Sequence, residues 1–163
     1  MVTMQNPLAQ QAHTINDGVM GGRSSSRIQV TPEGVQFSGV VSLANNGGFA
    51  SMRGQWPYNV LPQQQTVDCI QLTLKGDGKC YQFRLFTADN SDSSAYVYSF
   101  ATNVAGITSL AVPLTAFSAR FRGRSISKPK LKLDHIREYG LLIGDKQEGA
   151  FSLVLKEIKL MES

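Results

Sequence analysis

The chain is predicted to fold as an all-β jelly-roll sandwich, on three observations. Runs of alternating apolar and polar residues recur through residues 28–160, polar stretches rich in Gly, Asn, Asp and Pro separate them, and no segment carries an apolar stripe at helical period. Eight or nine such strands suit a two-layer sandwich or a barrel, and no fixed-period repeat favours a propeller or solenoid. At 163 residues, 42% hydrophobic, with eight Phe and five Tyr to fill a core, one domain over residues 1–163 is expected.

The first dozen residues, polar and without period, are left as a flexible start. Residues 16–23 hold Asn16, Asp17 and three glycines in eight positions, which favours turns and positive backbone dihedrals, so a loop is expected. Ile28 and Val30 then alternate with Arg27 and Gln29. The turn Pro32-Glu33-Gly34 leads into Val35, Phe37, Gly39, Val41 and Leu43 on one parity, with Gln36, Ser38 and Ser42 on the other. That pattern predicts an antiparallel hairpin with one buried face.

Residues 45–48 form a second glycine-rich breaker, followed by a short strand in which Phe49, Ser51 and Arg53 alternate with Ala50 and Met52. Residues 56–65, with two Pro and three Gln, read as a connection. Ile70, Leu72 and Leu74, then Tyr81, Phe83 and Leu85, share one face if Leu74 opposes Tyr81, which predicts a second hairpin closed by residues 76–79. In that register Cys69 and Cys80 lie about 20 Å apart at ~3.3 Å per residue, too far for a bridge. Two free thiols are expected, and two cysteines are too few for a disulfide framework or a four-thiolate zinc site.

Tyr96, Tyr98 and Phe100 mark another strand, residues 107–112 a further one, and residues 141–143 an apolar run fit for a strand buried on both faces. In the last strand Phe151, Leu153 and Leu155 alternate, and the phase slips after Lys156 to Ile158 and Leu160, as a bulge requires. Residues 120–138 carry seven Lys or Arg against Asp134 and Glu138, net +5, so the rest of the chain sums to −1. Arg120, Arg122, Arg124, Lys128, Lys130 and Lys132 share one parity. Such a stripe reads as a solvated strand edge or as a docking surface for an acidic protein or membrane. It lacks the interleaved aromatics that stack nucleic-acid bases, so no nucleic-acid partner is expected.

The motif Asn16-Asp17-Gly18-Val19-Met20-Gly21-Gly22-Arg23-Ser24 resembles the opening signature of the complex I intermediate-associated protein family. Further matches follow in order: Phe37-Ser38-Gly39 with Ser42-Leu43, Asn46-Gly47-Gly48-Phe49-Ala50-Ser51 with Arg53, Gly76-Asp77-Gly78 with Tyr81, Val112-Pro113-Leu114 with Phe117, and Gly149-Ala150-Phe151 with Leu153. The chain departs from that pattern before the Asn-Asp pair, where family members usually carry a tryptophan and this sequence has Ala12 and His13. The resemblance implies a galactose-binding-like jelly roll, similar in architecture to carbohydrate-binding modules. It also implies, for mitochondrial members, a part in assembling respiratory complex I.

The N-terminus has neither the basic start nor the apolar run of a secretory signal, no mitochondrial targeting segment is apparent, and no run is long enough to span a bilayer, so a cytoplasmic location is expected. For residues 16–24, turn chemistry competes with a concave donor surface made by successive amides with Arg23 and Ser24, suited to an anion or a peptide carboxylate. It is no phosphate-binding loop, because it lacks the Gly-Lys-Ser/Thr ending and leads into no helix. Asn46, Gly47 and Gly48 pose the same choice. Arg53 and Arg84 are candidates to line a sheet face and grip a carboxylate or a pair of sugar hydroxyls, unless Arg53 is neutralised by Asp17, Asp77 or Asp145. Asp77 and Tyr81 join the candidates through the family match.

His13 and His135 sit in no nucleophile or metal spacing, so no enzymatic activity and no cofactor are expected. The oxygen-rich stretch Asp89-Asn90-Ser91-Asp92 leaves a structural calcium open, short of an EF-hand pattern. The expected function is a non-catalytic, chaperone-like assembly factor that binds a protein, a respiratory-complex subunit or assembly intermediate. The alternative is a carbohydrate-binding module, whose sugar-stacking candidates are Trp56, Tyr58, Tyr96 and Tyr98.

Overall fold

A computed structural model describes residues 7–9, 12–16, 24–44, 48–58, 67–87, 94–121, 124–125, 131–144 and 147–161. Two antiparallel sheets pack face to face. The strands are β1 (His13–Asn16), β2 (Ser25–Thr31), β3 (Gly34–Val41), β4 (Ala50–Gln55), β5 (Cys69–Asp77), β6 (Cys80–Thr87), β7 (Ala95–Ala101), β8 (Val104–Pro113), β9 (Ser118–Phe121), β10 (Arg124–Ser125), β11 (Ile136–Ile143) and β12 (Gly149–Met161). One sheet has seven strands in the order β1-β4-β11-β6-β7-β9-β10, and the other has five, β2-β3-β12-β5-β8. This is the expected jelly-roll sandwich.

The period-two faces fall as expected. Val35, Phe37 and Val41 of β3, Leu72 and Leu74 of β5, and Leu153 and Leu155 of β12 meet Met52, Phe83, Leu85, Tyr139 and Leu141 of the other sheet, all at most 1% exposed. Burying each such side chain contributes about 1.5–3 kcal/mol, and Phe37 adds an edge-on contact with Phe151 at 5.0 Å. The β2–β3 hairpin closes through Pro32 and Glu33, with Thr31 opposite Gly34. Gly34 is obligatory there, since its φ is +147° and a Cβ would lie 2.3 Å from the Leu155 carbonyl oxygen. The slip after Lys156 is a true irregularity, because the β12–β5 register shifts between Leu155 and Glu157.

Three expectations change. The hairpin expected over residues 69–86 does not form: β5 lies between β12 and β8, whereas β6 lies between β11 and β7 in the opposite sheet. Two strands with one apolar face each satisfy that alternation as well by facing each other across the core as by lying side by side. Only residues 78–79 carry the chain between sheets, with Gly78 at φ +90°. Both cysteines are nonetheless free, Cys69 buried at the start of β5 and Cys80 exposed at the start of β6, beyond the far end of β5, a strand that spans roughly 25 Å at ~3.3 Å per residue.

The strands number twelve among the described residues rather than eight or nine, because β1, β9 and β10 are two to four residues long and too short to show a period. Strand β11 also begins earlier than the 141–143 run, at Ile136, and its Leu142 faces outward, half-buried, rather than into a second core. Of the basic stripe, Arg120 lies in β9, between β7 and β10, Arg124 lies in the edge strand β10, and Lys132 is exposed between buried Leu131 and Leu133. Arg122, Lys128 and Lys130, like the oxygen-rich residues 89–92, lie outside the described residues. Ala12 packs half-buried against the core.

Candidate functional site

Alternation on β4, β11 and β6 sends Met52, Leu141 and Phe83 inward and leaves Ser51, Arg53, Gly140, Leu142, Arg84 and Phe86 on the outer face of the seven-stranded sheet. The register sets Arg53, Gly140 and Arg84 in one row across three adjacent strands. The two arginine stems thus stand two inter-strand spacings apart, about 10 Å, on either side of a residue with no side chain. A Cβ at Gly140 would come 2.9 Å from the Met52 carbonyl oxygen and 3.2 Å from Phe86 Cε2. The gap lets Arg53 reach across β11 until its Cζ lies 3.6 Å from the Phe86 ring centroid, a cation–π contact. Arg53 Nη1 is also 3.8 Å from Glu138 Oε1, an ion pair at the long end of the range and open to solvent. Arg84 turns the other way and donates from Nε (3.0 Å) and Nη2 (2.8 Å) to Gln82 Oε1.

The outcome is a cleft of ≈ 730 Å³ with apolar walls of Ile15, Phe49, Phe86 and Leu142, in which Ser51, Arg53 and Arg84 supply the polar side chains. Phe86, Ala95 and Val97 form a small apolar cluster separate from the main core, and Arg120 of β9 pairs with Ala95. Partial burial, and then the charges of Arg53 and Arg120, push the Arg84 guanidinium below its ordinary value. Among the described residues, Glu138 is the only carboxylate in ion-pair contact with any of these three arginines. A half-buried cationic cluster so sparsely neutralised favours an added anion, because each unpaired charge in low dielectric is costly.

The candidate residues divide between this cleft and the scaffold. Arg53 and Arg84 share the cleft, and the neutralising partner of Arg53 is Glu138 rather than Asp77. Asn16 ends β1 opposite Ala50, and Ser24 clasps Ser42, its Oγ accepting from Ser42 N at 2.9 Å and donating to Ser42 O at 3.3 Å. The described residues bracketing the two glycine-rich stretches therefore meet at one end of the sandwich, the end at which Ile15, Phe49 and Leu142 line the cleft. Gly48 has φ +137°, so turn geometry accounts for that glycine. Asp17, Gly21, Gly22, Arg23, Asn46 and Gly47, and Asp145 with them, lie outside the described residues.

Asp77 and Tyr81 are not brought to the cleft. The Asp77 carboxylate accepts from Lys79 N (3.1 Å), from Ser152 N (2.9 Å) and from the Tyr81 hydroxyl (2.9 Å to each oxygen), which ties the sheet-to-sheet crossing to β12. Burial, then the Asp77 charge, raises the Tyr81 phenol well above its usual range. Of the four sugar-stacking candidates, Trp56 and Tyr96 are 2% and 6% exposed, while Tyr58 and Tyr98 are half-buried against the core. Among the described residues no group of three His, Cys, Asp or Glu could hold a metal ion, and no helix is long and apolar enough to cross a membrane.

Sequence reasoning missed Gly140, Phe86, Gln82 and Glu138. A glycine inside an apolar strand run is the one signal that pointed there, since it often marks a place where another group approaches closely.

The solved structures similar to this chain share its sandwich. A family 11 carbohydrate-binding module of a cellulosomal cellulase of Clostridium thermocellum is 17% identical, with 93% of this chain and 86% of that chain covered at a TM-score of 0.60. A family 11 module from the same organism, in complex with a β-1,3-1,4-mixed-linked tetrasaccharide, is 17% identical over 93% and 88% of the two chains at 0.61. An exo-β-agarase is 9% identical over 93% of this chain and 23% of its own, at 0.56. No curated protein matches the chain significantly. The model of the family described as complex I intermediate-associated protein 30 matches residues 3–155, taking in both glycine-rich stretches and every strand from β1 to β11, and the chain therefore belongs to that family.

Proposed function

We propose that this chain is a non-catalytic, chaperone-like protein-binding module that serves the assembly of a larger complex in the cytoplasm, and that it docks its partner on the outer face of the seven-stranded sheet. Family membership supports the assembly role and points to a respiratory-complex subunit or assembly intermediate as the partner. The observation that carries the choice of face is the Arg53–Gly140–Arg84 row, two cations flanking a bare strand position above apolar walls. In this reading Arg53 and Arg84 grip the partner. Asp77 and Tyr81 support the site by holding the crossing between sheets.

The test is recovery of bound protein from the native cell with wild-type chain and with an Arg53→Gln, Arg84→Gln variant, identified by mass spectrometry. The expected result is a complex subunit or assembly intermediate recovered by the wild type and lost from the variant. An identical set of proteins on both would refute the docking face. A carbohydrate-binding module remains the second reading, because the fold is that of such modules. Of the four aromatics expected to stack on sugar, two are buried and two pack against the core, so this reading turns to Phe49, a half-buried ring that lines the cleft. Binding on a glycan array that disappears in Phe49→Ala would favour it over the protein-binding reading.

A further inference from the structure

We propose that the cleft takes the side-chain carboxylate of an acidic segment of a partner protein, an Asp or Glu flanked by apolar residues, with Arg84 as the anchoring cation and Arg53 recruited to it from Glu138. This inference rests on the protein-binding reading above and gives its ligand chemistry. Three observations converge on it.

First, two of the five guanidinium N–H donors of Arg84 are directed at Gln82 Oε1, a neutral acceptor, so the remainder are available to an incoming carboxylate. Second, Arg53 is held by a ring face and by a 3.8 Å solvent-open ion pair, a weak arrangement that a better-placed carboxylate can displace. Third, Ile15, Phe49 and Leu142 present apolar surface beside the cations, which suits an aliphatic neighbour on the ligand. A neutral sugar needs paired hydrogen-bonding groups and an open ring face. Here the Phe86 ring is 7% exposed and Arg53 lies over it. Charge and surface together favour an acidic-apolar peptide.

The experiment is an NMR titration of the whole chain with blocked acetyl-Ala-Leu-Glu-Leu-Ala-amide, its Gln counterpart, and a β-1,3-1,4-mixed-linked gluco-tetrasaccharide. The Glu peptide is expected to shift the Gly140 and Leu142 amides and the Arg84 Nε–H, and to bind about tenfold more tightly than the Gln peptide, as one hydrogen-bonded charge contact supplies. Arg84→Gln should lose that preference while keeping the wild-type amide dispersion. Arg27→Gln, exposed on β2 in the other sheet, should leave binding unchanged. Glu138→Gln should tighten binding about two- to fivefold, because it removes the resident competitor for Arg53. Equal affinity for the Gln peptide, shifts confined to other surfaces, no binding, or occupation of the same residues by the tetrasaccharide instead would each overturn the proposal. Since these probes are defined peptides, recovery of a partner from cells can succeed where they fail, so this inference and the docking reading fail separately.

Discussion

Asp77→Ala is expected to cost the fold about 3 kcal/mol, within a range of roughly 2–5, because one carboxylate satisfies a donor on each sheet and a third on the turn between them. Ser152 N–H belongs to β12 just beyond the point where its pairing with β5 starts, at Val154 opposite Lys75. Asp77 Oδ2 accepts that N–H at 2.9 Å and so extends the ladder by a side chain. The Tyr81 hydroxyl, on a side chain 2% exposed, points at the same carboxylate. Hydrogen bonds to a charged acceptor contribute about 1.5–3 kcal/mol each, and the Lys79 contact, on the turn, is discounted for solvent. With a urea m-value near 2 kcal/mol/M, the loss moves the unfolding midpoint down by about 1.5 M. Tyr81→Phe should cost about 1 kcal/mol. The double variant should cost less than the sum of the two, since both remove the same bond. A loss under about 1 kcal/mol for Asp77→Ala, or additivity within ~0.5 kcal/mol, would refute the tie between the crossing and β12.

Stability should fall steeply at alkaline pH. Burial raises the phenols of Tyr81 and Tyr139 above their unfolded value near 10, so above that pH the unfolded chain has released protons that the folded chain still holds. The contribution is therefore fully present below about pH 10 and declines above it, by up to ~1.4 kcal/mol per pH unit for each phenol. Urea midpoints between pH 8 and 11 measure this, and Tyr81→Phe with Tyr139→Phe should flatten the decline. Gly140→Ala should destabilise by about 1–3 kcal/mol and detach Arg53 from Phe86, because the new methyl group would meet the Met52 carbonyl at 2.9 Å. Denaturation and the Arg53 Nε–H chemical shift read the two effects separately, and an unchanged shift would contradict the stated role of the gap.

Much of this molecule is legible without coordinates. Period-two alternation assigns Phe37, Leu72, Phe83, Leu85 and Leu153 to the interior, and the phase slip after Lys156 locates the bulge in β12. The Pro32-Glu33-Gly34 turn and the family motifs are equally local. Arg53 and Arg84 could be nominated because each lies on the polar parity of its own strand. Their joint placement needed more, since parity says which way a side chain points and nothing about which strand lies alongside.

What the sequence by itself determined is therefore the set of strands with a clear period, the face each buries and the family to which the chain belongs. Tertiary structure decided that β5 and β6 part into opposite sheets and that β11 inserts between β4 and β6, setting Gly140 between Arg53 and Arg84. The physical reason is that a strand's pattern is written in its own residues, whereas its neighbours are chosen by hydrogen-bond pairing between distant segments, which any chain of matching parity can satisfy.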